Sequence, residues 1–273
     1  MTPENLQAVL KSAEGNPDIV LVGGQAIVVW ASYYKDAPEF QPPARPVTTK
    51  DVDFYGDSDQ ARAIASQVNG TVRVPKTDDA TPSSAVIDLG TTNAEEERVD
   101  FLEHIQGAGN DAVSAAAIPL NFEMDGPDGP SMIQIRVMHP FHCLHSKLSN
   151  KITLGRDNPI ANTQLEATPT ILREFINDMI SQGQGEGEGA KTFTKIATDT
   201  LKKLGSFLES DIVGRPAHLN MQNDPLEILR HFRDDERLPE TYRVHNISKS
   251  IDRIVAKRNG RLARAKARSK KIA

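Results

Sequence analysis

A short apolar run that ends at two glycines places the strongest constraint on how this chain can fold. The run Asp18-Ile19-Val20-Leu21-Val22 is continuous rather than alternating, which predicts a buried strand. Gly23 and Gly24 follow it directly, and residues 25–34 are predicted to form a helix. Glycines at such a junction let the backbone turn tightly. A buried strand that leads at once into a helix predicts an α/β protein.

Two aspartates lie on the next predicted strand. The segment Asp51-Val52-Asp53-Phe54-Tyr55 alternates polar and apolar residues, as a half-buried strand does. Residues two apart on a strand point to the same face, so Asp51 and Asp53 would project side by side. Two neighbouring carboxylates repel each other, and a bound Mg²⁺ would relieve that repulsion. A solvated strand face is the alternative interpretation of this pattern.

A third aspartate occurs in a later predicted strand. In Arg98-Val99-Asp100-Phe101-Leu102, Asp100 lies between apolar neighbours. If this strand lies beside the strand of Asp51 and Asp53, Asp100 completes a cluster of three carboxylates. Such a cluster can hold one or two metal ions and orient an attacking hydroxyl in phosphoryl or nucleotidyl transfer. An isolated residue on an exposed strand face is the alternative.

The strand signals are confined to the first half of the chain. We predict a fold of the α/β (α+β) class, with a domain over residues 1–150 that contains a mixed sheet flanked by helices. A mainly helical C-terminal region follows over residues 151–273. The glycine-rich segment at 181–190 has the composition of a flexible linker. Further strands are predicted at 71–74, 85–89, 118–124 and 131–138, the last two joined by a turn at 125–130.

Taken in order, three segments resemble a known superfamily. They are Leu21-Val22-Gly23-Gly24-Gln25-Ala26, Thr48-Thr49-Lys50-Asp51-Val52-Asp53-Phe54 and Arg98-Val99-Asp100-Phe101. Together they resemble the DNA-polymerase-β-type nucleotidyltransferases and are most similar to the AbiEii-type enzymes, many of which act as toxins of toxin–antitoxin pairs. The resemblance covers roughly residues 19–102. It departs from the family in a longer, proline-rich stretch at 36–47 and in Gln25, where a serine often follows the glycines.

The resemblance implies a role for each matched residue. Gly23 and Gly24 would cradle the triphosphate of an NTP. Asp51 and Asp53 would bind Mg²⁺. Asp100 would be the third carboxylate, either as a metal ligand or as the base for the incoming hydroxyl.

Lys147, in a predicted helix that begins at His139, resembles the basic residue that these enzymes place on the nucleotide phosphates. An exposed helix lysine is the alternative. The resemblance implies a Mg²⁺-dependent enzyme that moves an NMP from an NTP to an acceptor hydroxyl. The acceptor could be tRNA or another RNA, a protein side chain, or a small molecule of the antibiotic type. It also implies an antitoxin protein as a partner.

A different class of protein stays open, namely a catalytically inactive transferase fold that binds nucleic acid or a partner protein. The distribution of charge favours a polyanionic partner. Residues 257–273 contain eight Lys and Arg and no acid, whereas the rest of the chain has 24 basic and 37 acidic residues. The tail is predicted to be a basic helix from about Ile247, with an apolar stripe of Ile251, Ile254, Val255 and Leu262. An RNA-binding arm and a solubilising terminus are the two interpretations of this tail.

The remaining features exclude some classes of protein. No stretch approaches the roughly 18 apolar residues of a membrane span, so a membrane protein is excluded. Cys143 is the single cysteine, which fits a cytoplasmic protein without disulfides. Cys143, His139 and His142 share a helix face and could ligate zinc or form a Cys–His nucleophile. No second ligand pair or third orienting group accompanies them, so packed helix residues are the favoured interpretation.

Overall fold

The computed structural model describes residues 1–40, 43, 45–49, 51–76, 78–79, 81–92, 95–124 and 129–272. The side chains of residues 91, 92, 95, 96, 110, 111 and 265–272 lie outside this description. Three stretches with sequence-based predictions are wholly or partly outside the described residues: most of the turn at 125–130, Lys50, and part of the proline-rich stretch at 36–47. The chain divides into two compact units, Met1–Thr168 and Pro169–Ala273. The boundary between the units lies within the helix Pro159–Gln182, and the sequence-based division at 150/151 lies within the preceding helix Pro140–Leu154.

In unit 1, seven described strands form one mixed sheet in the order β3-β4-β5-β2-β1-β7-β6. The pairs β2–β5 and β1–β7 are parallel, and the other neighbours are antiparallel. This sheet, with its flanking helices, confirms the predicted α/β (α+β) class. The strands are β1 Val20–Val22, β2 Val52–Tyr55, β3 Thr71–Arg73, β4 Ser83–Thr92, β5 Glu95–Leu102, β6 Ile118–Met124 and β7 Ser131–Val137.

The central strands follow the sequence pattern closely. All three residues of β1 are buried, as expected for a strand between β2 and β7. In β2, Val52 and Phe54 are buried, whereas Asp53 is only half-buried. The prediction that Asp51 lies on the strand is wrong, because β2 begins one residue later and Asp51 occupies a bend before it.

Among its described residues, unit 1 contains six helices, wholly or in part. Asp57 caps α3 in a capping box with Gln60, a local sequence pattern that favours a helix start at this point. Trp30 of α2 donates through Nε1 to the carbonyl of Met138 at 2.9 Å, which anchors α2 at the end of β7. The helices are α1 Pro3–Ser12, α2 Gly23–Tyr33, α3 Ser58–Gln67, α4 Asn110–Ala116, α5 Pro140–Leu154 and α6 Pro159–Gln182, which continues into unit 2.

All regular secondary structure in the described residues of unit 2 is helical, as predicted for the C-terminal region. Residues 183–187 of the glycine-rich segment join α6 to α7, whereas residues 181–182 end α6 and residues 188–190 begin α7. Ile251 and Ile254 are buried as predicted, but Leu262 is 54% exposed, so the apolar stripe ends before it. The elements are α7 Glu188–Ser210, α8 Ala217–Asn220, α9 Leu226–Arg233, α10 Glu240–Tyr242, a π-helical turn Arg243–Ser248 and α11 Lys249–Ile272.

Among the described residues, no helix is both long enough and apolar enough to cross a bilayer.

Candidate functional site

The junction between β1 and α2 brings the backbone against Asp53. Gly23 begins α2 with a φ of +64°, a conformation that L side chains rarely adopt. A Cβ at Gly23 would overlap the Asp53 carboxylate, and the backbone N–H of Gly24 donates a hydrogen bond to that carboxylate. Glycine is therefore required here for the close approach of α2 to Asp53.

The structure brings the three predicted aspartates to one cavity. Asp53 on β2 pairs in register with Asp100 on the parallel neighbour β5, as the sequence analysis expected of adjacent strands. Asp51, in the bend before β2, faces the same cavity of about 470 Å³. Gly23 and Lys147 also line it.

Burial and neighbouring charges change the pKa values of Asp53 and Asp100. Burial raises the pKa of Asp53 to about 6, and the charges of Asp100 and Asp51 contribute to the rise. The charge of Lys147 and the N–H of Gly24 oppose it. Burial and the charge of Asp51 also raise the pKa of Asp100. The cluster is therefore costly to ionise without a cation beside it.

Lys147 on α5 is half-buried rather than exposed, so it is not the surface lysine that the alternative interpretation described. Its ammonium Nζ donates a hydrogen bond to Oε1 of Gln164 at 2.7 Å. Burial lowers the pKa of Lys147, and the charge of Asp53 opposes this change. Lys147 is thus a desolvated cation held near the carboxylates.

A second cavity of about 240 Å³ adjoins the first. Both cavities are lined by Asp51, Asp53, Lys147, Asn150 and Arg156. The second cavity is also lined by Gly24, which the sequence patterns select, and by Thr49, Asn162 and Gln164, which they do not. Asn162 and Gln164 lie in no motif, and Thr49 lies in a matched segment without an assigned role.

The carboxylates suit the chemistry of Mg²⁺, which takes oxygen ligands from one or two carboxylates together with substrate phosphates and water. A bound cation would offset the burial and the neighbouring negative charge that raise the pKa values of Asp53 and Asp100. As these side chains stand, no group of three His, Cys, Asp or Glu in the described part of the chain is arranged to hold an ion. A magnesium site here would therefore draw part of its coordination from a bound triphosphate and from water.

In the cluster of His139, His142 and Cys143, two residues make contacts typical of packed helix residues. The Cys143 thiol is buried, donates to the carbonyl of Met138 at 3.5 Å, and has its pKa raised by burial to about 12. His139 caps α5, since its Nδ1 accepts from the N–H of Phe141 at 3.0 Å. Cys143 is therefore a poor candidate for a nucleophile. These contacts agree with the interpretation of packed helix residues.

Comparison with known proteins adds little to this geometry. No family model matches the chain, and no curated protein matches it. Among solved structures, the crystal structure of JHP933 from Helicobacter pylori is similar over 97% of this chain and 95% of that chain, with 11% sequence identity and a TM-score of 0.30. Similarity at that level carries no argument about fold or function.

Proposed function

We propose that this protein is a Mg²⁺-dependent nucleotidyltransferase that moves an NMP from an NTP to an acceptor hydroxyl. The observation that carries the proposal is the convergence of Asp51, Asp53 and Asp100 on one cavity with Lys147 and the first turn of α2. Three carboxylates together cost stability unless they bind a cation. A desolvated lysine and a helix N-terminus beside them suit the phosphates that would accompany such a cation.

Each group has a distinct role in this proposal. Asp51 and Asp53 would hold Mg²⁺, which when bound neutralises phosphate charge and aligns the attacking and leaving oxygens. Lys147 and the first turn of α2, at Gly23 and Gly24, would bind the triphosphate. Asp100 would either complete the metal site or take the proton of the acceptor hydroxyl.

In the proposed transfer, one bond to the α-phosphorus forms and one breaks. The acceptor oxygen attacks the α-phosphorus of the NTP in line, and the bond from that phosphorus to the bridging oxygen of pyrophosphate breaks. The acceptor loses its proton and gains the NMP, while pyrophosphate leaves with the displaced electron pair. The protein contributes mainly by positioning the reactants and by countering their charge.

The acceptor that the charge distribution favours is RNA, with tRNA as the first to test. The tail from residue 257 is entirely basic among its charged residues, whereas the rest of the chain is acidic. A polyanionic acceptor would be attracted to such a tail. A role as the toxin of a toxin–antitoxin pair, in the cytoplasm and with an antitoxin protein as partner, belongs to the same proposal.

Label transfer tests the activity directly. Purified protein is mixed with Mg²⁺ and each α-labelled NTP, together with bulk tRNA, an aminoglycoside mixture, or no added acceptor. We expect transfer to tRNA by the wild type and by Asp59→Asn, an exposed carboxylate on α3. Asp51→Asn and Asp53→Asn should abolish it. Transfer to the aminoglycosides alone would instead indicate a small-molecule enzyme.

One outcome would overturn the enzymatic proposal. If no variant transfers label to any acceptor, while the folded wild type and both asparagine variants bind tRNA equally well, the protein is a nucleic-acid-binding protein on an inactive transferase fold.

A further inference from the structure

A buried glutamine connects three parts of the candidate site. Gln164 lies on α6 with 4% of its surface exposed. Its Oε1 accepts a hydrogen bond from Nζ of Lys147 at 2.7 Å, and its Nε2 donates to the carbonyl of Thr48 at 2.7 Å. Both ends of the buried amide are therefore satisfied, each by a segment that borders the cavities.

The same amide packs on the first turn of α2. A Cβ at Gly24 would lie 2.6 Å from Nε2 of Gln164 and 2.6 Å from Oγ1 of Thr49. Real Cβ atoms do not approach that closely, so a residue with a side chain at position 24 would displace the amide. A glycine at position 24 therefore allows α2 to approach Gln164 this closely.

Gln164 also controls how Lys147 presents its charge. A lysine side chain has several rotatable bonds and loses considerable entropy when it is held in one conformation. An amide oxygen can fix the ammonium while leaving its full positive charge, whereas a carboxylate at the same place would neutralise it. The neutral acceptor therefore preserves Lys147 as a cation for an anionic ligand.

The bond to Thr48 restrains the chain that leads to Asp51. Thr48 is three residues before Asp51, and the neighbouring Thr49 donates through Oγ1 to the Asp51 carbonyl at 3.1 Å. If Thr48 moved away from Gln164, its carbonyl would lose this hydrogen bond and would need water in its place. The bond therefore limits the motion of Thr48.

We propose that Gln164 is a positioning residue that acts through Lys147 and Asp51. It directs the Lys147 ammonium toward the phosphates of the NTP and anchors the segment that carries Asp51. This inference rests on the proposed function for its substrate. It adds a residue from a helix beyond the three segments that resemble a known superfamily.

Three variants separate positioning from simple stability. Gln164→Met removes both hydrogen bonds at similar volume, and Gln164→Glu keeps an acceptor for Lys147 but neutralises its charge. Thr168→Val is the matched control, because Thr168 is fully buried one turn further along α6 and its Oγ1 donates only to the Leu165 carbonyl among the bonds described. Binding of ATP and of each other NTP is measured without Mg²⁺, alongside KM and kcat with it.

We expect Gln164→Met to weaken NTP binding and raise KM by about tenfold, as the loss of a hydrogen bond to a charged group would. Gln164→Glu should weaken binding at least as much, although it retains a partner for Lys147. Thr168→Val should leave binding and KM unchanged even if it lowers stability. Wild-type binding by both Gln164 variants, or equal weakening by Thr168→Val, would overturn the inference.

A second measurement tests whether Gln164 holds Lys147, and it does not require nucleotide binding. Absence of nucleotide binding by the wild type would count against the proposed function itself. The rate of reductive methylation of Lys147 is followed by mass spectrometry. Release of Nζ in Gln164→Met should increase that rate several-fold, with Thr168→Val at the wild-type rate. An unchanged rate in Gln164→Met would show that Gln164 does not hold Lys147.

Discussion

Asp53 and Asp100 lie opposite each other on two parallel neighbouring strands, β2 and β5. On the other face of the same strands, Phe54 and Phe101 pack with their ring centroids 5.4 Å apart in the core. The apolar pair stabilises the strand pairing, and the pairing forces the two carboxylates together. This arrangement concentrates negative charge at a place where it costs stability, as binding sites for cations do.

The first prediction concerns the stability of the metal-free protein. The pKa of Asp53 rises from 3.8 to about 6 on folding, so the folded protein binds more protons in this interval and its stability falls as pH rises through it. Asp53→Asn should therefore raise the free energy of unfolding by about 1–2 kcal/mol near pH 7.5 and change it little near pH 4. Urea unfolding in EDTA measures both values. A loss of stability near neutral pH, with Asp59→Asn unchanged, would contradict this expectation.

The second prediction concerns the response to Mg²⁺. A ligand that binds only the folded state raises the apparent stability by mass action. Mg²⁺ with an NTP should raise the Tm of the wild type by several degrees, which corresponds to about 2–3 kcal/mol at a hundredfold excess over Kd. Thermal unfolding of Asp51→Asn and Asp53→Asn should show little of this shift. Equal shifts in these variants and in Asp59→Asn would place the bound ion elsewhere.

The third prediction concerns the close approach at the start of α2. Gly24→Ala should destabilise the protein by about 1–3 kcal/mol, because the new methyl group overlaps Thr49 and Gln164. Gly189→Ala is the matched control, since a Cβ there meets nothing within 4 Å and the residue lies in α7. It should stabilise by up to about 1 kcal/mol through helix propensity. Similar effects of the two substitutions in chemical unfolding would refute the packing argument.

The fourth prediction divides the basic tail into two parts. Lys257 pairs with Glu209 at 3.0 Å, and Arg258 pairs with both oxygens of Asp224 at 2.5 and 3.0 Å. Arg258→Gln should therefore destabilise unit 2 by about 1–3 kcal/mol, because it breaks a partly buried pair. Thermal unfolding measures this change, with Lys257→Gln as an exposed comparison of smaller effect.

Removal of residues 261–273 should change the binding of RNA rather than the stability of unit 2. We expect weaker tRNA binding and a shallower dependence of affinity on salt, with unchanged Tm, since the basic side chains removed from the described part are not in the ion pairs above. Filter binding across a salt series measures both quantities. If neither changes, a protein or a small molecule becomes the expected acceptor.

The fifth prediction concerns the cell. Expression of the wild type should arrest bacterial growth if the protein is a toxin that modifies RNA, and Asp53→Asn should relieve the arrest at equal protein level. Growth curves with immunoblots measure this. Normal growth with abundant wild-type protein would separate the enzymatic proposal from the toxin proposal.

Several elements follow from patterns within short stretches of sequence. The continuous apolar run of β1, the alternation of Val52 and Phe54, and the capping box of Asp57 each depend on residues only a few positions apart. Strand periodicity and cap geometry are local properties, so they can be predicted without a fold. The three candidate aspartates were also predicted from local patterns, because charged residues between apolar strand residues are unusual.

Other features depended on distant parts of the chain. The sequence analysis expected Asp51 on the strand, but the described pairing of β2 begins at Val52. Gln164 has no motif, and its partners lie 17 and 116 positions away. Nothing in the spacing around Gln164 could have indicated either hydrogen bond.

The sequence by itself therefore determined the strands β1 and β2, to within one residue at Asp51, and which side chains could carry charge to a site. Only the tertiary structure decided that Asp53 stands opposite Asp100 and that Gln164 reaches Lys147. The physical reason is that strand register and helix packing minimise exposed apolar surface over the whole unit. The positions of the polar groups at the site are a consequence of that global burial, which no local pattern contains.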